Sequence, residues 1–319
     1  MSESKDIKTV GIVGTGLMGT GIAEVCATSG FKTIIVKATP GCHHIAQAKV
    51  EKSLARSVEK GKLTAEQRDA ALGSMEWTGH REALGTADLV IESVPEDMAT
   101  KRSLFHSLHA IVPAETIFAS NTSTLRISEM AHGIGREDRT IGLHFFSPVP
   151  AMKLVEMAHL HTTAPEVLRA AMQFVGKLGK IAVPVLDSTG FVVNRLLVPY
   201  LIGAISAFEL GLGKPDEIDL AMKLGCGHPM GPLALADLIG LDIVYAMAKL
   251  LHTDFQDARY QPPSLLRRLV QDGQLGKKSG LGFYDYSAGT GEPKANEAIL
   301  ELVRAGMFAR AGATVGHAA

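Results

Sequence analysis

A glycine-rich turn directly after a short apolar run is the feature that most constrains the fold of this chain. The run begins at Thr9, and the motif Gly14-x-Gly16-x-x-Gly19 follows it and opens a segment compatible with a helix. In such a unit the three glycines allow a tight turn, close approach of a pyrophosphate and close packing of helix on strand. The positive end of the helix then faces the phosphates. The position of the motif therefore predicts a Rossmann unit that binds a dinucleotide through Gly14, Gly16, Leu17, Met18 and Gly19.

Short apolar strands alternate with polar helical stretches over the first half of the chain. Besides the run at Thr9, the pattern predicts strands at residues 34–36, 88–92, 116–119 and 140–143. Strands that alternate with helices form a mostly parallel sheet that is covered on both faces. We therefore expect a Rossmann-type, doubly wound α/β domain over residues 1–187.

The pattern changes to helices after residue 187. Residues 191–210 form a long apolar segment, and the later stretches resemble glycine-capped helices without a convincing strand. We expect an all-α C-terminal domain over residues 188–319, with a further helix at 296–310 and a frayed tail at 311–319. The apolar run 196–208 is shorter than the roughly 18 to 20 residues that cross a bilayer, so we interpret it as a buried helix.

Charge and cysteine usage argue against several classes of partner. The formal net charge of −1 provides no field that would attract the chain to nucleic acid or to an anionic membrane. Residues 1–6 are polar and lack the apolar region of a signal peptide, so we expect a cytoplasmic protein. Three widely spaced cysteines without a C-x-x-C pair predict neither a disulfide framework nor a metal site.

The residue after the second strand bears on the choice of dinucleotide. A carboxylate at this position accepts hydrogen bonds from the adenosine ribose hydroxyls of NAD. The chain has Lys37 there. Its ammonium cannot accept those bonds but can pair with a 2′-phosphate. Alternatively, Lys37 points into solvent and NAD binds through other contacts. We therefore predict NAD as the cofactor and keep NADP as an alternative.

A histidine and a glutamate lie symmetrically about Pro150. If the chain reverses at residues 148–150, the side chains of His144 and Glu156 face each other. An imidazole can then take a hydroxyl proton as hydride leaves, while the carboxylate fixes its tautomer and stabilises the imidazolium. A lone histidine beside an apolar run is more often structural. The opposing glutamate and the nearby dinucleotide motif favour a catalytic dyad.

Six motifs in order resemble those of the L-3-hydroxyacyl-CoA dehydrogenase family, most closely its bacterial 3-hydroxybutyryl-CoA dehydrogenase branch. The resemblance covers about residues 8–286. The motifs are G-T-G-L-M-G-T-G-I-A (14–23), A-S-N-T-S-T-L (119–125), H-F-F-S-P-V-P-A-M-K-L-V-E (144–156), G-F-V-V-N-R-L-L-V-P-Y (190–200), H-P-M-G-P (228–232) and G-K-K-S-G-L-G-F-Y (276–284). The ordered set is much more specific than any single motif.

The resemblance implies a short-chain acyl-CoA substrate, a nicotinamide cofactor, and a homodimer formed through the helical domain. It implies that His144 is the general base, that Glu156 orients it, and that Ser123 and Asn194 contact the reacting oxygens of the substrate. The residues implied to line the cofactor are Glu96, Lys101 and Asn121, and those implied to contact the CoA moiety are Ser53 and Lys60.

Structural explanations stay open for several of these residues. Ser123 could instead cap a helix that begins at Leu125, and Asn194 could cap a helix or bridge the two domains. Lys60 lies in a charged stretch of the kind that is often a solvated face.

The sequence also departs from the family at two positions. Lys37 replaces an acidic residue, which affects the choice of cofactor, and Ser147 replaces an asparagine beside the nicotinamide. Two other functions also stay open: a dehydrogenase of a hydroxy acid or sugar acid without CoA, and a non-catalytic dinucleotide-binding protein.

Overall fold

The computed structural model describes residues 6–39, 41–289 and 293–306. The chain divides into two compact units, residues 1–191 and residues 192–319. The sequence predicted the boundary between residues 187 and 188, a few residues before this division. No helix among the described residues combines the length and apolar character needed to span a membrane.

The N-terminal unit contains a sheet of six parallel strands in the order β3-β2-β1-β4-β5-β6. The strands are β1 (Thr9–Val13), β2 (Lys32–Val36), β3 (Met75–Thr78), β4 (Leu89–Glu92), β5 (Ile117–Ser120) and β6 (Thr140–Gly142). The helices are α1 (Leu17–Thr28), α2 (His44–Glu59), α3 (Ala65–Gly73), α4 (Met98–His109), α5 (Ile127–Ala131) and α6 (Pro165–Lys177). The predicted doubly wound fold is confirmed.

Alternate residues of the central strands pack into apolar clusters on the two faces of this sheet. Ile12 of β1 and Ile91 of β4 belong to one buried cluster, whereas Val13 and Val90 belong to another. Successive side chains of a strand point to opposite faces, so a continuous apolar run is buried on both sides. The pattern did not predict β3, because its four residues include Glu76 and none is fully buried.

A second sheet of three strands follows in the chain. It consists of β7 (His144–Phe145), β8 (Leu154–His159) and β9 (Ile181–Leu186), in that order. β7 and β8 are antiparallel, so the chain reverses between them as the positions of the prolines predicted. Buried Lys180 holds the connection by donating to the carbonyl oxygens of Val149 at 2.6 Å and Met152 at 2.7 Å.

The C-terminal unit is helical, as predicted. Its helices are α7 (Val193–Glu209), α8 (Pro215–Cys226), α9 (Pro232–Ile239), α10 (Leu241–Phe255), α11 (Ser264–Gln271) and α12 (Glu297–Arg304). A short antiparallel pair that the pattern did not predict joins β10 (Tyr284–Asp285) to β11 (Lys294–Ala295). The predicted helix at 296–310 corresponds to α12, whereas residues 307–319 lie outside the described residues.

A buried carboxylate organises the segment that leads into β10. Asp237 of α9 is completely buried and accepts hydrogen bonds from the backbone N–H groups of Phe283 at 3.0 Å and Tyr284 at 2.9 Å. The Tyr286 hydroxyl donates to the same carboxylate at 3.1 Å. Three donors therefore converge on one side chain, which ties α9 to a segment almost fifty residues further along the chain.

We predict that Asp237→Asn lowers the free energy of unfolding by roughly 1 to 3 kcal/mol. The asparagine amide presents hydrogens to backbone donors, which leaves at least one buried donor without an acceptor. Urea unfolding of the full chain, followed by circular dichroism, measures this loss. The control is Asp272→Asn, which removes only an exposed ion pair with Arg268 and should change the stability by less than about 1 kcal/mol.

The same carboxylate gives the stability a defined pH dependence. Burial raises the pKa of Asp237 to about 6, although the hydrogen bonds that it accepts oppose this rise. Because the folded pKa exceeds the unfolded value of 3.8, protonation favours the folded state. This contribution is complete below the unfolded pKa and is lost as the pH rises through about 6. Asp237→Asn should flatten the profile over that window, and an unchanged profile would contradict this assignment.

Candidate active site

The glycine turn between β1 and α1 has the geometry that the motif predicts. Gly14 has a φ of +121°, and a Cβ there would collide with the carbonyl oxygen of Ser93. A Cβ on Gly19 would collide with the carbonyl oxygen of Gly14, so this glycine allows α1 to pack closely on the turn. No described atom lies within 4 Å of the position that a Cβ on Gly16 would take. The second glycine therefore borders open space, as close approach of a phosphate requires.

The first turn of α1 presents backbone N–H groups beside this space. Gly16 is the N-cap residue, and no side chain described in the structure caps the helix there. Leu17 is 78% exposed and Met18 is half-buried. An uncapped helix N-terminus is a ready-made binding site for anions, because its N–H groups lack partners and its dipole is positive. The residues of the turn therefore fit the pyrophosphate of a dinucleotide.

The glycine turn lies at the point where the order of the strands reverses. β1 lies between β2 and β4, and the chain proceeds from β1 to β2 and β3 on one side and to β4, β5 and β6 on the other. In open α/β sheets, ligands bind at the carboxyl ends of the strands next to such a switch point. The residues that follow β1, β2, β4 and β5 therefore define the candidate site.

Lys37 directly follows β2, at the position that the sequence predicted. Its Nζ donates to the carbonyl oxygen and to the hydroxyl of Thr39, both at 3.0 Å. Its backbone N–H donates to the carbonyl oxygen of Thr78, the last residue of β3. The ammonium is therefore held against its own loop at the end of the strand.

A buried cluster of charges lies behind the ends of β4 and β5. Lys101 is 1% exposed, and its Nζ lies 2.7 Å from Oε1 of Glu92 and 3.2 Å from Oε2 of Glu96. Ser120 donates to the other oxygen of Glu92 at 2.5 Å. The sequence analysis did not select Glu92. A carboxylate at the end of an otherwise apolar strand was the available signal, because such a group is buried only with partners.

Glu96 binds the loop that follows β5. Its Oε1 accepts from the Thr122 hydroxyl at 2.6 Å and from the backbone N–H groups of Ser123 at 2.9 Å and Thr124 at 3.2 Å. Burial acts to raise the pKa of Glu96, but the charge of Lys101 and these hydrogen bonds outweigh it, and the pKa is lowered. The carboxylate is therefore ionised at neutral pH and holds Ser123 in place.

The structure favours Thr122 over Ser123 as the residue that stabilises the turn. Helix α5 begins at Ile127 and not at Leu125, so Ser123 does not cap a helix there. The Thr122 hydroxyl instead accepts from the N–H of Leu125 at 2.9 Å. The sequence analysis did not select Thr122, because a threonine among several hydroxyl residues is not distinctive.

Asn121 connects the end of β5 to β7. Its side-chain oxygen accepts from the backbone N–H of Phe145 at 2.9 Å. The backbone N–H of Asn121 donates to the carbonyl oxygen of Glu92. The residue that follows β5 thus fixes the backbone beside His144.

His144 and Glu156 form a buried pair. The two residues are paired across β7 and β8, and Nδ1 of His144 lies 2.9 Å from Oε2 of Glu156. The histidine is 4% exposed and the glutamate 1%. The rings of Phe146 and Phe191 pack against the imidazole, with centroids 4.4 and 5.9 Å away. Because Nδ1 is bound to Glu156, Nε2 is the imidazole nitrogen that could exchange a proton with a substrate.

The remaining predicted site residues lie on α2 and α7. Ser53 of α2 donates to Oε1 of Glu24 at 3.0 Å, and Lys60 follows the end of the same helix with an exposed side chain. Asn194 is a buried residue in the first turn of α7, in the C-terminal unit, and Val192 rather than Asn194 is the N-cap. In the described chain, no group of three or more His, Cys, Asp or Glu side chains is placed to bind a metal ion.

Comparison with known proteins identifies the family of both parts of the chain. Residues 9–188 match the family model of the 3-hydroxyacyl-CoA dehydrogenase NAD-binding domain, and residues 190–286 match that of the 3-hydroxyacyl-CoA dehydrogenase C-terminal domain. A probable 3-hydroxybutyryl-CoA dehydrogenase of Bacillus subtilis is 44% identical over 89% of this chain and 99% of its own length. A 3-hydroxybutyryl-CoA dehydrogenase of Mycobacterium tuberculosis is 42% identical over 89% of this chain and all of its own.

Solved structures give the same result. The crystal structure of (S)-3-hydroxybutyryl-CoA dehydrogenase from Ralstonia eutropha has a TM-score of 0.86 and 42% identity, and it covers 88% of this chain and all of that one. The two family models together match residues 9–188 and 190–286. The chain belongs to the 3-hydroxyacyl-CoA dehydrogenase family, and its N-terminal unit is the NAD-binding domain of that family.

Proposed function

We propose that this chain interconverts a short-chain 3-hydroxyacyl-CoA and the corresponding 3-oxoacyl-CoA, with 3-hydroxybutyryl-CoA and acetoacetyl-CoA as the substrate pair. One observation supports this more than any other. A buried imidazole is hydrogen-bonded to a carboxylate on the same N-terminal unit that carries the dinucleotide turn. The names of the relatives suggest the acyl group.

The dyad supplies the proton chemistry. Glu156 holds Nδ1 of His144, which directs Nε2 to the 3-hydroxyl as general base and stabilises the imidazolium that forms. In the reductive direction the same nitrogen returns the proton. When bound, the nicotinamide accepts or donates the hydride of carbon 3. Burial of both side chains strengthens their interaction, because the surrounding dielectric is low.

Other residues position the reactants in this proposal. Gly14, Gly16, Leu17, Met18 and Gly19 hold the pyrophosphate, and Glu96 and Asn121 line the cofactor. Lys101 is 1% exposed, so it acts by fixing Glu96. Ser123 contacts the 3-oxygen, and Asn194 contacts the substrate from the helical unit. Ser53 and the exposed ammonium of Lys60 contact the hydroxyl and phosphate groups of CoA.

A dehydrogenase of free hydroxy acids or sugar acids would use the same dyad without CoA. The solvent-exposed Lys60 favours a substrate that extends to the surface and ends in phosphates. Steady-state rates with acetoacetyl-CoA and with free acids such as gulonate separate these functions.

Since NAD and acyl-CoA are metabolites of the cell interior, we place the enzyme in the cytoplasm.

We further propose a homodimer formed through the helical unit. Several large apolar side chains are exposed on α8 and the segment that precedes it, and an exposed apolar patch is typical of an interaction surface. They are Leu210, Leu212, Leu220 and Leu224, with exposures of 65, 75, 53 and 78%.

Sedimentation analysis of the full chain tests this assembly. We expect a dimer, and we expect Leu224→Asp to weaken it because a charge would be buried at the interface. Met172→Asp, which changes an exposed residue of the N-terminal unit, is the matched control and should leave the mass unchanged. A wild-type monomer at micromolar concentration would contradict the proposal.

Loss of the imidazole should abolish most turnover but preserve cofactor binding. His144→Ala is expected to lower kcat for acetoacetyl-CoA reduction by roughly 10² to 10⁴, the usual contribution of a general acid or base. His161→Ala removes an exposed histidine and should leave kcat within about twofold, which is no more than a surface substitution is expected to change.

Glu156→Gln tests the second member of the dyad. The amide keeps the size of the side chain but removes the charge that stabilises the imidazolium, so kcat should fall while dinucleotide affinity is retained. Dinucleotide binding is measured through the fluorescence of Trp77, the single tryptophan of the chain. Wild-type turnover by either dyad variant would remove the pair from the mechanism.

A further inference from the structure

The carboxyl ends of β4 and β5 form the part of the site where we expect the nicotinamide ring. In a Rossmann sheet the adenosine ribose lies at the end of β2, so the nicotinamide half falls on the other side of the switch point. The ring must also lie near His144, which exchanges the proton of the substrate in the proposed function. Asn121, directly after β5, binds the backbone of Phe145 beside that histidine at 2.9 Å. The loop that follows β5 is therefore the segment closest to the ring.

Glu92, Glu96 and Lys101 form a charge triad beside this loop, with one negative charge in excess. Nζ of Lys101 lies 2.7 Å from Oε1 of Glu92 and 3.2 Å from Oε2 of Glu96, so two carboxylates share one ammonium. Glu92 also accepts from the backbone N–H of Val94 at 2.6 Å and from the Ser120 hydroxyl at 2.5 Å. Carboxyl groups that accept all of their hydrogen bonds are ionised. Two negative charges and one positive charge give the charge triad a net charge of −1.

The charge triad adjoins both the glycine turn and the loop after β5. Glu96 accepts from the backbone N–H of Ser123, in that loop, at 2.9 Å. Ser93 follows Glu92, and a Cβ on Gly14 of the turn would collide with its carbonyl oxygen. The side chain of Glu96 is 39% exposed, whereas that of Lys101 is 1% exposed. Glu96 is therefore the member of the charge triad that a bound cofactor can approach.

The two redox forms of the cofactor differ in charge at the ring. The nicotinamide of NAD⁺ carries a positive charge, whereas that of NADH is neutral. A fixed negative charge near the ring therefore attracts the oxidised form more strongly than the reduced form. Burial of Glu92 and Lys101 keeps water away from the inner side of the charge triad, which limits the screening of its field.

We infer that the net charge of the triad sets the relative affinity of this chain for NAD⁺ and NADH, with Glu96 as the determining residue. The inference deepens the proposed function, on which it rests for the location of the nicotinamide. It gives Glu96 an electrostatic role in addition to its hydrogen bonds with the loop that contains Ser123.

Binding of NAD⁺ and of NADH to the full chain tests the inference without turnover. Isothermal titration calorimetry measures both dissociation constants for wild type and for Glu96→Gln, in which the amide keeps the size of the side chain but removes one negative charge. We expect the ratio of Kd for NAD⁺ to Kd for NADH to rise roughly 3- to 30-fold, the order expected of one unit charge near a protein surface. The change should shrink as salt is added, because Glu96 is partly exposed.

Two further variants separate the charge of Glu96 from its structural role. Glu96→Asp keeps the charge on a shorter side chain, so both affinities should fall together while their ratio stays close to that of wild type. Glu115→Gln makes the same change of charge at an exposed position before the opposite end of β5, and it should leave the ratio unchanged. Circular dichroism verifies that each variant is folded. Structural disturbance alone weakens the binding of both forms, whereas the charge effect changes their ratio.

The outcomes separate this inference from the proposed function. An unchanged ratio in folded Glu96→Gln, or an equal change in Glu96→Asp or Glu115→Gln, would overturn the role of the charge but leave the dehydrogenase assignment in place. Failure of wild type to bind either dinucleotide would overturn the location of the site, and with it both proposals.

Discussion

The hydrogen bond between His144 and Glu156 is the interaction on which the candidate site depends. It exists because β7 and β8 pair in a register that places the two residues directly opposite each other. A one-residue slip would turn one of these side chains to the other face of the sheet. Lys180 holds the connection between the strands, and Asn121 holds the backbone beside the histidine. The geometry of this pair is thus fixed by strand pairing.

A second group of buried charges lies at the edge of the parallel sheet that carries the candidate cofactor site. Glu92 and Glu96 share the ammonium of Lys101, and Glu96 in turn organises the loop that contains Ser123. Charges as deeply buried as Glu92 and Lys101 are costly unless paired, so removing one partner would disturb the whole edge. Lys37, which directly follows β2, lies at the same edge.

The sequence predicted the fold well where local pattern and tertiary structure agree. The glycine turn, the buried strands and the reversal that pairs His144 with Glu156 are all encoded in short segments. It did not predict β3, because that strand is only half-buried, nor the roles of Glu92 and Thr122, which depend on partners distant in the chain. The role of a single polar residue can be identified only when the fold shows which distant residues contact it.

The most direct test of this account is a crystal structure of the full chain with acetoacetyl-CoA and the dinucleotide bound. The account predicts that Nε2 of His144 lies within about 2.6 to 3.2 Å of the 3-oxo oxygen while Nδ1 stays bonded to Glu156. A substrate carbonyl bound away from the imidazole, or a histidine that has left Glu156, would contradict it.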